Sequence, residues 1–383
     1  MAAYDLAGYA AMMNHEERVS AYHEAIRAAV KPGAVVLEIG SATGFMALLA
    51  CKYGARRVYA IEPADAILAA PQLARDNGFG DRIVFHRALS TQVELPERCD
   101  ILISDLRGSH PCHTTHLVDL MDARNRLLTP NAAWICQTDT FYVAVSEAPK
   151  GRGEVQASWD GSRWGLDLSA MLPYATSCQI RRKWELNDLL SASEAWTAIH
   201  YPSLTSPHVH GAASLVITRD APAQGFALWF EAELFGGARF SNAPGKPQNV
   251  YGNMFLPWPK VVDLLAGDRV EARLDALLYG NTYEWSWRTV VRRPGQEAPV
   301  AEFKQSTVQG HLLDSAALAR CLASYQLRLS PAGEEERFLL ARADGRISQG
   351  ELAALLRVQF PERFPDDAAA FARVAQTTAR FSD

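Results

Sequence analysis

Short apolar runs alternate with amphipathic stretches along the first third of the chain. Runs typical of buried strands occupy residues 35–39, 57–61, 82–86, 99–105 and 133–136. Apolar residues recur at helical spacing in the segments 3–30, 66–77 and 115–128, and the last is expected to stop at Thr129-Pro130-Asn131. Strands and helices that alternate in this way predict an α/β domain with a doubly wound parallel sheet, covered on both faces.

The pattern changes after about residue 146, where short runs of alternating apolar and polar residues begin. Proline, glycine and asparagine separate these runs, which predicts an antiparallel β domain, either a sandwich or a barrel. Helical spacing returns from Ser315, and Ser348 with Glu351 forms a capping-box pattern. We therefore expect N-terminal helices at 1–30, a cofactor-binding domain at 31–149, a β domain at 150–314 and a helical appendage at 315–383.

One strand-to-helix turn carries the first candidate chemistry. The run at 35–39 leads into the turn Gly40-Ser41-Ala42-Thr43-Gly44, and the next run ends in Glu62, about twenty residues beyond the first glycine. A carboxylate at that strand tip can bind both hydroxyls of a ribose, while glycines let the backbone approach a ligand. The turn differs from the dinucleotide fingerprint. With Glu38 before it, the Gly-x-x-x-Gly turn resembles that of S-adenosylmethionine-dependent methyltransferases of the doubly wound class.

Composition and charge limit the classes of partner. The chain has 383 residues, of which 48% are hydrophobic and 21% charged, so we expect a globular protein of more than one domain. The formal net charge of −5 gives no overall basic field, which argues against nucleic acid as the main partner. No apolar run reaches the roughly eighteen residues of a membrane span.

The cysteines and the N-terminus bear on the compartment. The six cysteines are scattered and form no C-x-x-C pair, so we expect free thiols in a reducing cytoplasm. The first residues lack a basic segment followed by an apolar core, which is the pattern of a signal peptide. The expected protein is therefore soluble and cytoplasmic.

Over roughly residues 10–310 the chain resembles the protein arginine methyltransferase family. The similar segments are consecutive and in register: 12–22, 37–44, 54–62, 81–83, 93–96, 123–128, 165–169 and 240–247. The resemblance implies a Rossmann-like cofactor domain joined to a β-barrel. It also implies S-adenosyl-L-methionine as the cofactor and a homodimer as the assembly.

The resemblance assigns candidate residues to the cofactor. Arg18 stands where the family has an arginine on the cofactor's carboxylate, and Glu62 stands at the ribose position. Leu89 and Ser90 stand beside the adenine, with Ser90 at a position where the family has an acid. The other cofactor candidates are Glu38, Gly40, Ser41, Gly44 and Ser104.

The chain departs from the family where the methyl acceptor would bind. The family holds the guanidinium between two glutamates; here these positions are Asp105 and Thr114. The family's Thr-His-Trp loop is replaced by Asn249-Val250-Tyr251, and we expect Asn249 and Tyr251 to line the acceptor pocket. Loss of one carboxylate would leave a buried cation half paired, at a cost of several kcal/mol. The site therefore uses Asp105 with another acid, or it takes a different acceptor.

Three histidines follow Asp105 at three-residue steps, namely His110, His113 and His116. They are open to three interpretations: a polar loop at the sheet edge, a general base for the acceptor, or a metal site. The sequence does not rank His110 above His113 as a base. The catalytic candidates are Asp105, His110, His113 and Tyr251, with no metal assigned.

These observations predict an S-adenosylmethionine-dependent methyltransferase acting on a nitrogen acceptor. The acceptor would be an arginine guanidinium or a related group in a protein, a peptide or a natural product. Two alternatives stay open. One is N- or O-methylation of an unrelated small molecule, and the other is a catalytically silent paralogue that keeps the cofactor fold.

Overall fold

The computed structural model describes residues 6–147, 159, 162–246, 250–312, 314–320 and 322–382. The chain forms two compact units, Met1–Leu312 and Leu313–Asp383. The first unit contains a parallel sheet and a set of antiparallel sheets. The domain boundary expected near 150 falls largely outside the described residues, so the four domain ranges stay predictions.

The parallel sheet has the order β3-β2-β1-β4-β5. Its strands are β1 (Val35–Ile39), β2 (Arg57–Ile61), β3 (Ile83–His86), β4 (Cys99–Ser104) and β5 (Leu128–Trp134). The helices of this part are α1 (Leu6–Met13), α2 (Glu16–Ala29), α3 (Phe45–Lys52), α4 (Ala70–Asp76) and α5 (His116–Arg126). The strand order reverses between β1 and β4, and ligands of open α/β sheets bind at the carboxyl ends of such strands.

Two segments of this part add detail to the expected pattern. The segment 3–30 contains two helices, α1 and α2, which are separated at Asn14 and His15. Helix α5 ends at Arg126, before Thr129-Pro130-Asn131 as expected, but these three residues then lie within β5. A proline cannot donate to a neighbouring strand, but β5 is the edge strand of the sheet and Pro130 is exposed there. The edge position therefore tolerates a residue that reads as a breaker.

The antiparallel part begins directly after the parallel sheet. A six-stranded sheet contains β6 (Cys136–Ser146), β9 (Ile180–Arg182), β10 (Glu194–His200), β12 (Ala221–Leu234), β13 (Arg239–Ser241) and β14 (Asn253–Leu264). A four-stranded sheet contains β11 (Val209–Val216), β15 (Arg269–Tyr279), β16 (Thr282–Arg292) and β17 (Ala301–Ser306). The short pieces are β7 (Ser162–Arg163), β8 (Leu166–Asp167), α6 (Leu172–Thr176) and α7 (Thr307–Gly310). The predicted fold class, a doubly wound sheet followed by antiparallel β structure, is confirmed.

A single residue connects the two kinds of sheet. Ile135 lies between β5 and β6 and is fully buried. Its N–H donates to the carbonyl of Leu102 in β4 at 2.9 Å, and its carbonyl accepts from the N–H of Phe235, after β12, at 2.7 Å. Both backbone groups of this residue are therefore used, one on each side of the junction.

The second unit is helical, as predicted. It contains α8 (Ser315–Arg320), α9 (Pro331–Leu340), α10 (Gln349–Gln359) and α11 (Asp367–Phe381) around its own apolar core. The capping box is present, because Ser348 Oγ accepts from the N–H of Glu351 and the Glu351 carboxylate accepts from the N–H of Ser348. Among the described residues, no helix is long and apolar enough to cross a bilayer.

Candidate active site at the carboxyl edge of the parallel sheet

The glycine turn after β1 adopts a conformation that needs glycine. Gly40 and Gly44 have φ values of +79° and +82°, which lie in the left-handed region. A Cβ on Gly40 would lie 2.4 Å from Leu106 Cδ2, so a side chain cannot be added there without a shift. The N–H groups of Gly40 and Ser41 both donate to the carbonyl of Ile61, which fixes the turn on the end of β2.

Glu62 lies against this turn. One of its carboxylate oxygens accepts from the N–H of Ala42 at 3.1 Å, and the other accepts from the N–H of Ala64 at 2.8 Å. The side chain is buried, with 8% of its surface exposed. These bonds join the tip of β2 to the glycine turn, and they leave lone pairs on both oxygens for a further donor.

Several buried polar atoms near the turn have no hydrogen-bond partner among the described residues. They are Glu38 Oε2, Ser41 Oγ and Ser104 Oγ. Burial raises the pKa of Glu38 to about 8, although a hydrogen bond from the backbone of Ala47 acts to lower it. Native proteins rarely leave buried polar atoms unpaired, so orphaned atoms on neighbouring strand ends indicate a place where a polar ligand fits.

The predicted adenine residues lie after β3. Ser90 is buried, and its carbonyl accepts from Arg126 at 3.0 Å. Leu89 is half exposed, with 50% of its surface accessible, and therefore leaves an apolar side chain at the surface of this edge. An apolar side chain beside a buried hydroxyl suits the face and the edge of a planar base.

Arg18, from α2, lies against the end of β4. Its Nε donates to Asp105 Oδ2 at 2.6 Å and to the Tyr251 hydroxyl at 2.9 Å, and its Nη1 donates to the carbonyl of Met12. The Tyr251 hydroxyl in turn donates to Asp105 Oδ2 at 2.6 Å. The structure thus brings together three of the residues that the sequence singled out. Asn249, the other pocket residue expected from that loop, lies outside the described residues.

Arg107 is a buried residue that the sequence did not single out. Its Nε and Nη2 donate to the two oxygens of Asp139, at 2.6 and 2.9 Å. Its Nη1 donates to Asp105 Oδ1 at 2.9 Å and to the Tyr22 hydroxyl at 2.8 Å, and Nη2 also contacts Cys136 Sγ. Asp139, the second acid, is in β6 and has no exposed surface. It was missed because nothing in an alternating β run marks one acid as buried.

These residues form an arginine–aspartate cluster, defined as Arg18, Asp105, Arg107 and Asp139. Two buried cations face two buried carboxylates, so the cluster carries no net charge. Burial acts to raise the pKa of Asp105, but Arg18 and Arg107 outweigh it and hold the pKa at about 2. Asp105 is therefore an ionised acceptor of hydrogen bonds at neutral pH and does not titrate as a proton donor.

Among the described residues, His110 makes no hydrogen bond or ion pair with Asp105. Its ring stacks on Phe141 at 4.2 Å and meets the edge of Trp285 at 4.7 Å, inside the antiparallel part. Burial lowers the pKa of His110 to about 3, and its Nε2 has no partner among the described residues. A ring enclosed in this way is a neutral core residue, so the geometry gives no support to His110 as the base for the acceptor.

The other two histidines differ from each other. His116 is also buried, stacked on Tyr201 at 5.5 Å, and burial lowers its pKa to about 3. His113 is partly exposed and packs beside Gly108, where a Cβ would lie 2.6 Å from its ring. Within the described ranges, no group of three or more His, Cys, Asp or Glu side chains is placed to hold a metal ion.

His15 is a second buried polar residue that the sequence did not single out. It directly precedes α2 and has 9% of its surface exposed. Neither ring nitrogen has a hydrogen-bond partner among the described residues. Burial and the nearby charge of Arg18 lower the pKa of His15, so its ring is neutral at neutral pH. A motif search passes over it because a histidine at a helix start carries no pattern.

The fold and this edge resemble those of class I methyltransferases, which have a Rossmann-like domain; here an antiparallel β domain follows it. No family model matches the chain. It is similar to a probable protein arginine N-methyltransferase 6 of Arabidopsis thaliana, at 26% identity over 236 residues, which are 59% of this chain and 54% of the relative. An arginine N(omega)-methyltransferase of Streptomyces achromogenes subsp. streptozoticus is 27% identical over 69% of this chain and 74% of its own length. The chain thus spans about half the length of the first of these relatives.

Solved structures agree on the fold. The Trypanosoma brucei PRMT1 enzyme–prozyme heterotetrameric complex with AdoHcy matches with a TM-score of 0.71 at 18% identity, over 78% of this chain and 97% of that one. The Arabidopsis thaliana protein arginine methyltransferase 10 matches with a TM-score of 0.70 at 17% identity, over 79% and 97%. The predicted resemblance is confirmed: the chain is protein-arginine-methyltransferase-like.

Proposed function

We propose that this protein is an S-adenosylmethionine-dependent methyltransferase. The acceptor in this proposal is a nitrogen nucleophile, an arginine guanidinium or a related group in a protein, a peptide or a natural product. The observation that carries the proposal is the contact between Glu62 and the glycine turn. It places a carboxylate and two left-handed glycines at one strand edge, as a bound adenosyl group requires.

The residues present fit such a donor. Glu62 would bind the ribose hydroxyls through the lone pairs that Ala42 and Ala64 leave unused. Leu89 and Ser90 would hold the adenine, and Arg18 the carboxylate of the amino-acid end. The remaining donor-side residues, which would surround that end, are Glu38, Gly40, Ser41, Gly44 and Ser104. Three of these residues carry the orphaned atoms described above.

Positioning is the main task of the protein in this reaction. The bound donor supplies a methyl group on a sulfonium, which is a good leaving group, so alignment of the acceptor lowers most of the barrier. Asp105 and Tyr251 would orient the acceptor, since Tyr251 donates to Asp105 at the end of β4 and both contact Arg18. Of the histidines after Asp105, His113 is the one that stays partly exposed. His113 and not His110 therefore remains the proposed proton acceptor of that loop.

Calorimetric titration of the purified chain with S-adenosylmethionine and with its demethylated product tests the proposal. We expect both to bind, and the variant Glu62→Ala to lose most of that affinity. Glu97→Ala is the matched control, because Glu97 pairs with the exposed Arg56 at the other end of the sheet. Absence of binding to either ligand would exclude the proposed reaction. Binding without transfer to any acceptor would favour a silent paralogue.

The compartment and the assembly also remain proposals. We propose a cytoplasmic homodimer that does not bind nucleic acid. The five described cysteines are free thiols, which suits a reducing compartment, and the net charge of −5 suits the absence of a nucleic-acid partner. Analytical ultracentrifugation over a range of concentrations tests the dimer, and a monomer at every concentration would refute it.

A further inference from the structure

Arg107 already occupies the carboxylates that a guanidinium substrate would use. An arginine side chain has five N–H donors, and in Arg107 each one has an acceptor. These acceptors are both oxygens of Asp139, one oxygen of Asp105, the Tyr22 hydroxyl and Cys136 Sγ. The guanidinium group of Arg107 is itself held as an enzyme would hold a guanidinium ligand, between two acids and in a bidentate fork.

Every oxygen of the two carboxylates already accepts a hydrogen bond from a charged side chain of the protein. Asp105 Oδ1 accepts from Arg107, and Asp105 Oδ2 accepts from Arg18 and Tyr251. The two oxygens of Asp139 accept from Arg107, and one of them also accepts from the Tyr201 hydroxyl. Each carboxylate oxygen of the cluster therefore has at least one charged donor.

An additional guanidinium would unbalance the buried charge. The arginine–aspartate cluster is neutral as it stands, so a third cation would face two carboxylates that are already paired. A buried charge without its own partner is strongly unfavourable. An uncharged group adds no such charge, and the polar atoms at the edge of the cluster can hydrogen-bond to it.

We propose that Arg107 determines acceptor specificity by excluding cations, so that the methyl acceptor is an uncharged nitrogen or oxygen nucleophile. This inference rests on the methyl transfer proposed above, but it removes the guanidinium group from the possible acceptors and admits an oxygen nucleophile beside an uncharged nitrogen. In the reaction, the lone pair of the acceptor forms the new bond to the methyl carbon. The electrons of the broken carbon–sulfur bond stay on the sulfur of S-adenosylmethionine, which becomes a neutral thioether, and the acceptor releases its proton to solvent or to a neighbouring base.

The first arm of the test uses the wild-type protein. Calorimetry with the demethylated product establishes that the donor site works, so a failure there counts against the proposed function and not against this inference. Agmatine and a short arginine peptide are then offered with S-adenosylmethionine labelled in the methyl group. We expect no label in either guanidinium compound. Label in agmatine or in the arginine side chain would overturn the inference.

The second arm asks whether Arg107 is what excludes the cation. Arg107→Ala leaves Asp105 and Asp139 facing an empty space the size of a guanidinium group. We expect guanidinium ion at low millimolar concentration to raise the melting temperature of this variant above that in sodium chloride of equal ionic strength, in a saturable way. Its affinity should exceed that of the wild type by about tenfold or more, as one bidentate charged contact provides.

Arg82→Ala is the matched control. Arg82 donates to the backbone carbonyls of Cys51 and Ala55 and to no carboxylate, so its removal should create no site for guanidinium ion. If Arg107→Ala does not fold, Arg107→Lys replaces it, because lysine keeps one charge and gives up the fork; the expected gain is then smaller than for alanine. A folded variant at position 107 that gains nothing, or a gain equal to that of Arg82→Ala, would overturn the inference.

Discussion

The two sides of the candidate active site are built in opposite ways. The central part of the donor side, the glycine turn with Glu62, comes from one continuous stretch, 35–62, and two buried polar atoms of that stretch, Glu38 Oε2 and Ser41 Oγ, have no partner among the described residues. The acceptor side joins α2, the segment after β4, β6 and the segment before β14, and its charged groups pair with one another. A surface made for a ligand leaves hydrogen-bonding capacity unused. By that criterion the donor side is suited to a polar ligand, whereas the acids of the acceptor side are already paired with cations of the chain itself.

Removal of Asp139 should have the largest effect on stability, because it removes one of the two buried carboxylates of the acceptor side. The variant Asp139→Ala loses both bonds from Arg107 and the bond from Tyr201, and it leaves a buried cation half paired. We expect the free energy of unfolding to fall by about 3–5 kcal/mol, measured by urea denaturation. Asp65→Ala, which breaks an exposed pair with Arg87, should cost at most about 1 kcal/mol. Equal losses in the two variants would show that the cluster is no more than a surface ion pair.

Removal of Glu62 should have the next largest effect, and on the donor side alone. Hydrogen bonds to a charged group contribute about 1.5–3 kcal/mol each, so the loss of two ribose bonds should weaken binding of the demethylated product by about a hundredfold or more. Glu62→Gln keeps one acceptor oxygen and should lie between Glu62→Ala and the wild type in calorimetry. An unchanged dissociation constant in Glu62→Ala would remove the donor site from this strand edge.

The pH dependence of stability should report on Glu38. Burial raises the pKa of Glu38 to about 8, whereas the unfolded chain has an ordinary carboxyl pKa of about 4.5. Between these values the folded state binds more protons than the unfolded state, so this group makes the free energy of unfolding decrease as the pH rises. Glu38→Gln should remove that contribution. The free energy of unfolding of the variant minus that of the wild type should therefore be larger at pH 8 than at pH 5. Parallel pH profiles of the two proteins in urea denaturation would contradict the assignment.

Substitution of His15 should have the smallest effect on stability. Its ring is buried and, within the described residues, makes no hydrogen bond, so His15→Phe exchanges one planar ring for another without breaking a polar contact. We expect the free energy of unfolding to change by less than about 1 kcal/mol. A loss of more than about 2 kcal/mol would show that the imidazole has a structural partner. An intact fold with weaker methyl transfer would assign His15 to the reaction.

The glycine turn and Glu62 of the donor side could be predicted from the sequence because they lie close together along the chain. The strand, the glycine turn and the acid at the next strand tip lie within one stretch, and their spacing alone carries the geometry. The parallel sheet and the antiparallel part follow from hydrophobic periodicity in the same way. Pro130 follows the end of α5 as expected, but its place within β5 could not be predicted, because a proline is tolerated at an edge strand and only the strand order shows that β5 is one.

The acceptor side could not be predicted in this way. Arg107 and Asp139 are 32 positions apart, and no spacing rule connects a residue after one strand with a residue inside another. His110 was attractive because histidine titrates near neutral pH, but the aromatic rings around it keep it neutral. A family resemblance gave the correct positions to inspect, Asp105 and Thr114. It did not show that an arginine of the chain itself would fill the space between acids.

Ile135 has a mechanical consequence. Ile135 is the single residue between β5 and β6, and both its backbone groups are hydrogen-bonded. The connection between the two parts of the first unit therefore contains no flexible linker that could act as a hinge. The separation between the glycine turn, in the parallel part, and Tyr251, before β14 in the antiparallel part, is thus set when the chain folds, and a bound ligand does not have to set it. A movement that admits or releases a ligand would then have to come from elements outside this connection, such as α1 and α2.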